Sequence, residues 1–87
     1  MKSVWKFELT PTGFVDMPVG AVILKIKEQN KLVYVWALVD TEAEIESREF
    51  FVYGTGHAID EGMKYIDTFY ISGGLYVFHV FERDKND

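Results

Sequence analysis

The sequence predicts an all-β or mostly β domain, a small antiparallel sandwich or open barrel of six to seven short strands. Residues that favour a pleated surface are abundant: 14 aromatic side chains with 10 Val, 6 Ile and 5 Thr account for 35 of the 87 residues. Apolar positions recur with a period of two in runs of strand length, and no segment sustains the 3.6-residue period of a helix. Between these runs lie clusters of Gly, Pro, Asn and Asp suited to turns.

The first run, Val4-Trp5-Lys6-Phe7-Glu8-Leu9, alternates and directs Trp5, Phe7 and Leu9 to a core, with Lys6 and Glu8 to water. Thr10-Pro11-Thr12-Gly13 is a turn, Pro fixing φ and Gly free to take φ > 0. Phe14 to Met17 forms a short extended piece closed by Pro18-Val19-Gly20. From Ala21 to Gln29 the alternation is expected to bury Val22, Leu24 and Ile26 and expose Lys25 and Lys27. Asn30-Lys31, between two strand-like runs, reads as a tight hairpin.

Leu32 to Val39 is apolar on both faces and too short for a core helix, so it is expected in the middle of a sheet. Residues 40–47 read as an acidic connection, and Glu49 to Tyr53 as a fifth strand interrupted by Gly54-Thr55-Gly56-His57. Gly62 limits Asp60-Glu61-Gly62-Met63 to a single helical turn. Lys64 to Ile71 and Leu75 to Phe81 complete the strands, joined through Ser72-Gly73-Gly74. The last strand is also apolar on both faces, Leu75, Val77, His79 and Phe81 against Tyr76, Phe78 and Val80. With no helix to cover a second face, these two-faced strands point to contact with another copy of the chain.

Composition bounds the function. A chain of 87 residues with 48% hydrophobic content is expected to form a single folded domain over residues 1–87, with the charged end at 83–87 frayed. The absence of cysteine excludes disulfide scaffolds, thiolate metal sites and thiol nucleophiles. Nine Lys and Arg against 14 Asp and Glu leave a net charge of −5 and a pI near 4.9, which argues against duplex nucleic acid and anionic membranes as partners. No apolar stretch approaches the roughly 20 residues that span a bilayer, and the expected setting is cytoplasmic.

Gly54-Thr55-Gly56-His57 is the principal candidate site. Paired glycines let a backbone approach a ligand closely, and successive N–H groups of such a turn form an anion-binding nest. Thr55 and His57 add a hydroxyl and an imidazole, and Tyr53, Trp36 and Lys64 are candidate neighbours that stack on or neutralise a ligand. The same glycines also suit a purely structural bulge. His57 and His79 show no metal-ligand spacing, and no metal or other cofactor is expected. Ser3, Ser47 and Ser72 lie at a terminus or in turns, none in a nucleophile elbow, so an enzyme is not expected. Residues 40–62 hold seven acids against Arg48 alone, while residues 1–31 hold five lysines against three acids. Lys25 and Lys27 share a strand face that suits a small phosphate-bearing ligand, yet two lysines are too thin a track for a polynucleotide.

Met17-Pro18-Val19-Gly20-Ala21, Gln29, Trp36-Ala37-Leu38-Val39-Asp40, Arg48-Glu49-Phe50, Gly54-Thr55-Gly56-His57, Tyr65-Ile66, Thr68-Phe69, Gly73-Gly74 and Phe78-His79-Val80-Phe81-Glu82 follow one another along nearly the whole chain. In order and spacing they resemble a small uncharacterised domain family common in bacteriophages and prophages. Asp67 departs from that pattern, which more often has glycine there. The resemblance implies a phage-type protein that acts by binding, often as an oligomer, and antagonises host defence. Three readings follow. The first is a non-enzymatic homo-oligomer that sequesters a small anionic, nucleotide-like ligand. The second is an acidic module that masks a host nucleic-acid-binding protein, and the third a small hydrolase using His57.

Overall fold

The computed structural model describes residues 1–84, and apart from one 3-10 turn at Ser72–Gly74 every regular element in it is a strand. These are β1 (Lys2–Glu8), β2 (Phe14–Pro18), β3 (Val22–Gln29), β4 (Leu32–Asp40), β5 (Ile45–Gly54), β6 (Met63–Ile71) and β7 (Tyr76–Arg83). They form two antiparallel sheets, β1-β4-β3 and β2-β5-β7-β6, arranged as the sandwich that the alternating pattern predicts. Among the described residues no helix is long and apolar enough to cross a membrane.

Alternation along β4 fixes where the core lies. Val35, Ala37 and Val39 point one way and are fully buried, meeting Ile26 of β3, Met17 and Val15 of β2, Phe50 of β5, Phe69 of β6 and Val80 of β7. Each large side chain buried in this way contributes roughly 1.5–3 kcal/mol. As expected, β4 is the central strand of its sheet, with Tyr34, Trp36 and Leu38 on its outer face. Trp5 and Phe7 stand opposite Ala37 and Val35 on the core side of β1.

The sheets close on each other along one side, where β3 approaches β6. There the ladder of β6 breaks at a bulge between Tyr65 and Asp67, and the Asp67 carboxylate takes over as acceptor. Its Oδ2 receives the Ile26 N–H at 2.8 Å and its Oδ1 the Thr68 N–H at 2.8 Å. Asp67 therefore supplies a link between the sheets.

Turn chemistry matches the sequence at the hairpins. Asn30 and Lys31 both take positive φ, 52° and 70°, as a two-residue type I′ turn requires. Gly13 has φ 84°, its N–H bonds to Thr10 O, and its carbonyl accepts the Phe50 N–H at 2.8 Å. A Cβ at this position would lie 2.5 Å from Phe50 O, so only glycine fits.

Three expectations are corrected. Val22 and Leu24, expected inward, are 55% and 52% exposed, because a bulge between Ile23 and Lys25 inserts Leu24 and swings Ile23 toward the core. Strand β5 begins at Ile45 rather than Glu49, since pairing with β2 holds residues that charge alone had marked as a loop; the acidic connection shrinks to 41–44. The limit of a single helical turn at 60–63 holds, Gly62 taking φ 78° in a plain turn. Arg83, assigned to a frayed tail, pairs with Met63 in β7, and the Asp84 N–H donates to Gly62 O; residues 85–87 lie outside the described residues.

Candidate functional site

Strands β5, β7 and β6 turn one face to the core and the other to solvent. Phe51 and Tyr53 of β5, Val77, His79 and Phe81 of β7, and Tyr65, Thr68 and Tyr70 of β6 make up the middle of that outer face, with the charged Glu49 and Arg83 at one end. Phe81 sits in the middle, with the Tyr53 ring 5.6 Å away at 84° and the Tyr65 ring 5.5 Å away at 72°, both edge-on. Tyr65 and Tyr70 remain 54% and 61% exposed. None of these eight residues carries a formal charge with His79 neutral, and the nearest guanidinium, Arg83, lies over the Phe51 ring at 5.4 Å.

A hydrogen-bonded chain crosses this face. Tyr65 OH meets Thr68 Oγ1 at 2.7 Å, Thr68 Oγ1 meets His79 Nδ1 at 3.0 Å, and His79 Nε2 meets Thr55 Oγ1 at 2.8 Å. A neutral imidazole donates from one nitrogen and accepts at the other, so the two threonines take opposite roles. When the chain runs from Tyr65 toward Thr55, Nε2–H donates to Thr55 and leaves that hydroxyl's hydrogen free for an acceptor outside.

Thr55 belongs to the 54–57 turn that the sequence singled out. The His57 N–H closes the turn on Gly54 O at 3.1 Å, and Gly56 takes φ 89° at the position where a type II turn calls for glycine. A Cβ on Gly56 would touch nothing within 4 Å, so its requirement is conformational. The exposed His57 ring packs over Gly54, where a Cβ would approach its Cε1 to 3.0 Å. Beside the turn an open groove of about 510 Å³ runs along Leu75, Tyr76, Val77 and Phe78.

The structure brings five of the seven candidate residues together: Tyr53, Gly54, Thr55, Gly56 and His57. The other two lie elsewhere. Trp36 is on the outer face of β4 in the opposite sheet. Lys64 pairs with Glu82, four positions along β7 from the Phe78 that pairs with Gly54, or about 13 Å away. What residue patterns missed is His79 as the hub between two threonines, a role visible only once β6 is paired with β7.

Lys64 instead borders a polar recess of about 380 Å³ at the other end of the sheet, with Arg48, Glu82 and Arg83. Arg48 Nε and Nη2 grip Glu82 Oε2 and Oε1 at 2.7 and 2.8 Å, and Nη1 donates to Ala21 O at 2.7 Å. The hydrogen bonds that Arg48 donates to Glu82 raise its pKa above the ordinary value and hold the guanidinium in its charged form. Its donors are engaged within the fold, which makes this recess a structural joint.

Comparison with curated proteins and with solved structures gives no match. A family model described as a domain of unknown function, DUF7352, matches residues 1–87. Since that match spans the whole chain, an uncharacterised domain family is shown, as expected, and the protein belongs to the DUF7352 family.

Proposed function

We propose that this chain is a non-enzymatic binding protein that associates with copies of itself through the outer face of β5, β7 and β6. It holds a small anionic, nucleotide-like ligand where that face ends, beside the 54–57 turn. The observation that supports this reading is the uncharged aromatic face traversed by the Tyr65-Thr68-His79-Thr55 chain. Two copies of a chain with net charge −5 repel each other, and an uncharged face is where they approach at least cost. A nucleotide's base finds Tyr76 and its phosphate the turn N–H groups, the Thr55 hydroxyl and the His57 imidazole. The resemblance to phage and prophage proteins adds the expectation that such a ligand is withheld from host defence in the cytoplasm.

Thermal unfolding of the full chain against a panel of mono- and cyclic dinucleotides, with its mass measured in solution, tests the reading. A ligand held at 100 times its Kd raises stability by about 2.7 kcal/mol, a shift of several degrees for a domain this small. His57→Ala should abolish the shift in a protein that still folds. No shift from any nucleotide, together with co-purification of a basic host protein, moves the assignment to the masking reading, for which Glu42, Glu44 and Glu49 remain exposed.

A further inference from the structure

The outer face of the three-stranded sheet combines the two kinds of side chain that a single nucleic-acid strand requires. Tyr34 and Trp36 stand in the middle of β4 with ring centroids 6.1 Å apart. Antiparallel pairing sets Lys6 of β1 opposite Trp36 on one side, and Lys25 and Lys27 of β3 opposite Trp36 and Tyr34 on the other. An aromatic row is thus flanked on both sides by ammonium groups. Lys6 Nζ lies over the Tyr34 ring at 4.1 Å and the Trp36 ring at 5.5 Å and donates to Gln29 Oε1, so a base stacks there as the ammonium swings from the rings to a phosphate.

In sequence Lys25 and Lys27 alone make too thin a track, and the fold widens it by adding Lys6 from a strand some 20 residues earlier. Two acids share the face. Glu8 stands opposite Tyr34, and Asp40 lies at the far end with the N-terminal ammonium 3.6 Å away. In a chain of net charge −5, this concentration of lysines favours a polyanion over a neutral or cationic partner. Aromatic rings between the lysines select among polyanions, because only unpaired bases offer π-faces for stacking, and duplex DNA does not.

We propose that this face binds single-stranded nucleic acid, with bases stacking on Tyr34 and Trp36 and phosphates meeting Lys6, Lys25 and Lys27. It lies on the opposite sheet from the ligand groove and stands independently of it. The test is fluorescence anisotropy of the full chain with a labelled oligothymidylate of about ten nucleotides, a duplex of similar length, and heparin. Binding of the single strand but not the duplex is expected, with log K falling against log salt at a slope of about −2 for three phosphate contacts. Lys25→Glu with Lys27→Glu, at two exposed positions, should weaken binding at least tenfold while circular dichroism stays unchanged. Trp36→Leu, which keeps apolar bulk but removes the π-face, should weaken it about tenfold at an unchanged salt slope. No binding by the folded wild type at about 50 mM salt overturns the proposal. So does binding of heparin equal to that of the oligonucleotide with no effect of Trp36→Leu, which would point to an acidic protein partner.

Discussion

Arg48 and Glu82 carry opposite charges at 12% and 13% side-chain exposure, and each leaves the other stranded if removed. Breaking such a pair from one side costs about 3–5 kcal/mol, so Arg48→Ala should destabilise the domain by that amount in urea unfolding. Replacing both partners by apolar residues should recover only part of the loss, because Ala21 O then also loses the donor it has in Arg48. The Arg48 pKa is raised from an ordinary value that already lies far above neutrality. Its contribution is present below the ordinary arginine value and lost only above the raised one, so Arg48 itself adds no pH dependence near neutrality. Two glycines give a matched comparison. Both Gly13 and Gly56 have positive φ, but only Gly13 also abuts backbone. Gly56→Ala should cost about 1–2 kcal/mol, the penalty of a left-handed residue. Gly13→Ala should cost clearly more, since the Phe50 carbonyl must also move. Equal losses would show that the contact at Gly13 is relieved without strain.

Strand pairing explains both what was legible in the sequence and what was not. The β3–β4 hairpin was readable because Asn30 and Lys31 form a two-residue connection, yet Lys31 holds φ 70°, where glycine is preferred. Lys31→Gly should therefore stabilise the protein by about 0.5–1 kcal/mol in thermal or urea unfolding, and a loss of stability would mean that Lys31 has a role beyond the turn. The all-β class, the central place of β4 and the inward side of β1 followed from period-two alternation, which the backbone enforces directly. Val22 and Leu24 were misplaced because one extra residue at a bulge reverses every face before it, and a bulge leaves no mark in an apolar run. Residues 45–47 were read as loop because charge dominated the pattern, whereas Glu46, opposite the buried Met17 of β2, shares the polar recess with Arg48, whose guanidinium offsets its charge. Of the candidate site, the turn at 54–57 could be read from its glycines. The placement of Trp36 and Lys64 could not, since it depends on which sheet a strand joins and how far along its neighbour it pairs.

At the scale of the whole molecule, seven strands supply two sheets whose inner faces make one core, and among the described residues no element is left to cover the outside of β5, β7 and β6. The sequence suggested that β7, apolar on both faces, meets another copy of the chain, and its outward residues Val77, His79 and Phe81 lie in the middle of that uncovered face. A stable pairing through it must bury about 800 Å² on each copy, roughly the area of a sheet face rather than of a single groove. We therefore expect light scattering to return at least twice the 10.1 kDa chain mass at micromolar concentration. Tyr70 is the residue to change, because it is 61% exposed, faces outward opposite Val77 and takes no part in the Tyr65-Thr68-His79 chain. Tyr70→Glu should leave the strand signal in circular dichroism intact and shift the mass to that of one chain, since an unpaired carboxylate buried between copies costs several kcal/mol. A wild-type mass of one chain at high micromolar concentration would refute self-association, while a dimer that survives Tyr70→Glu would place the interface on another face.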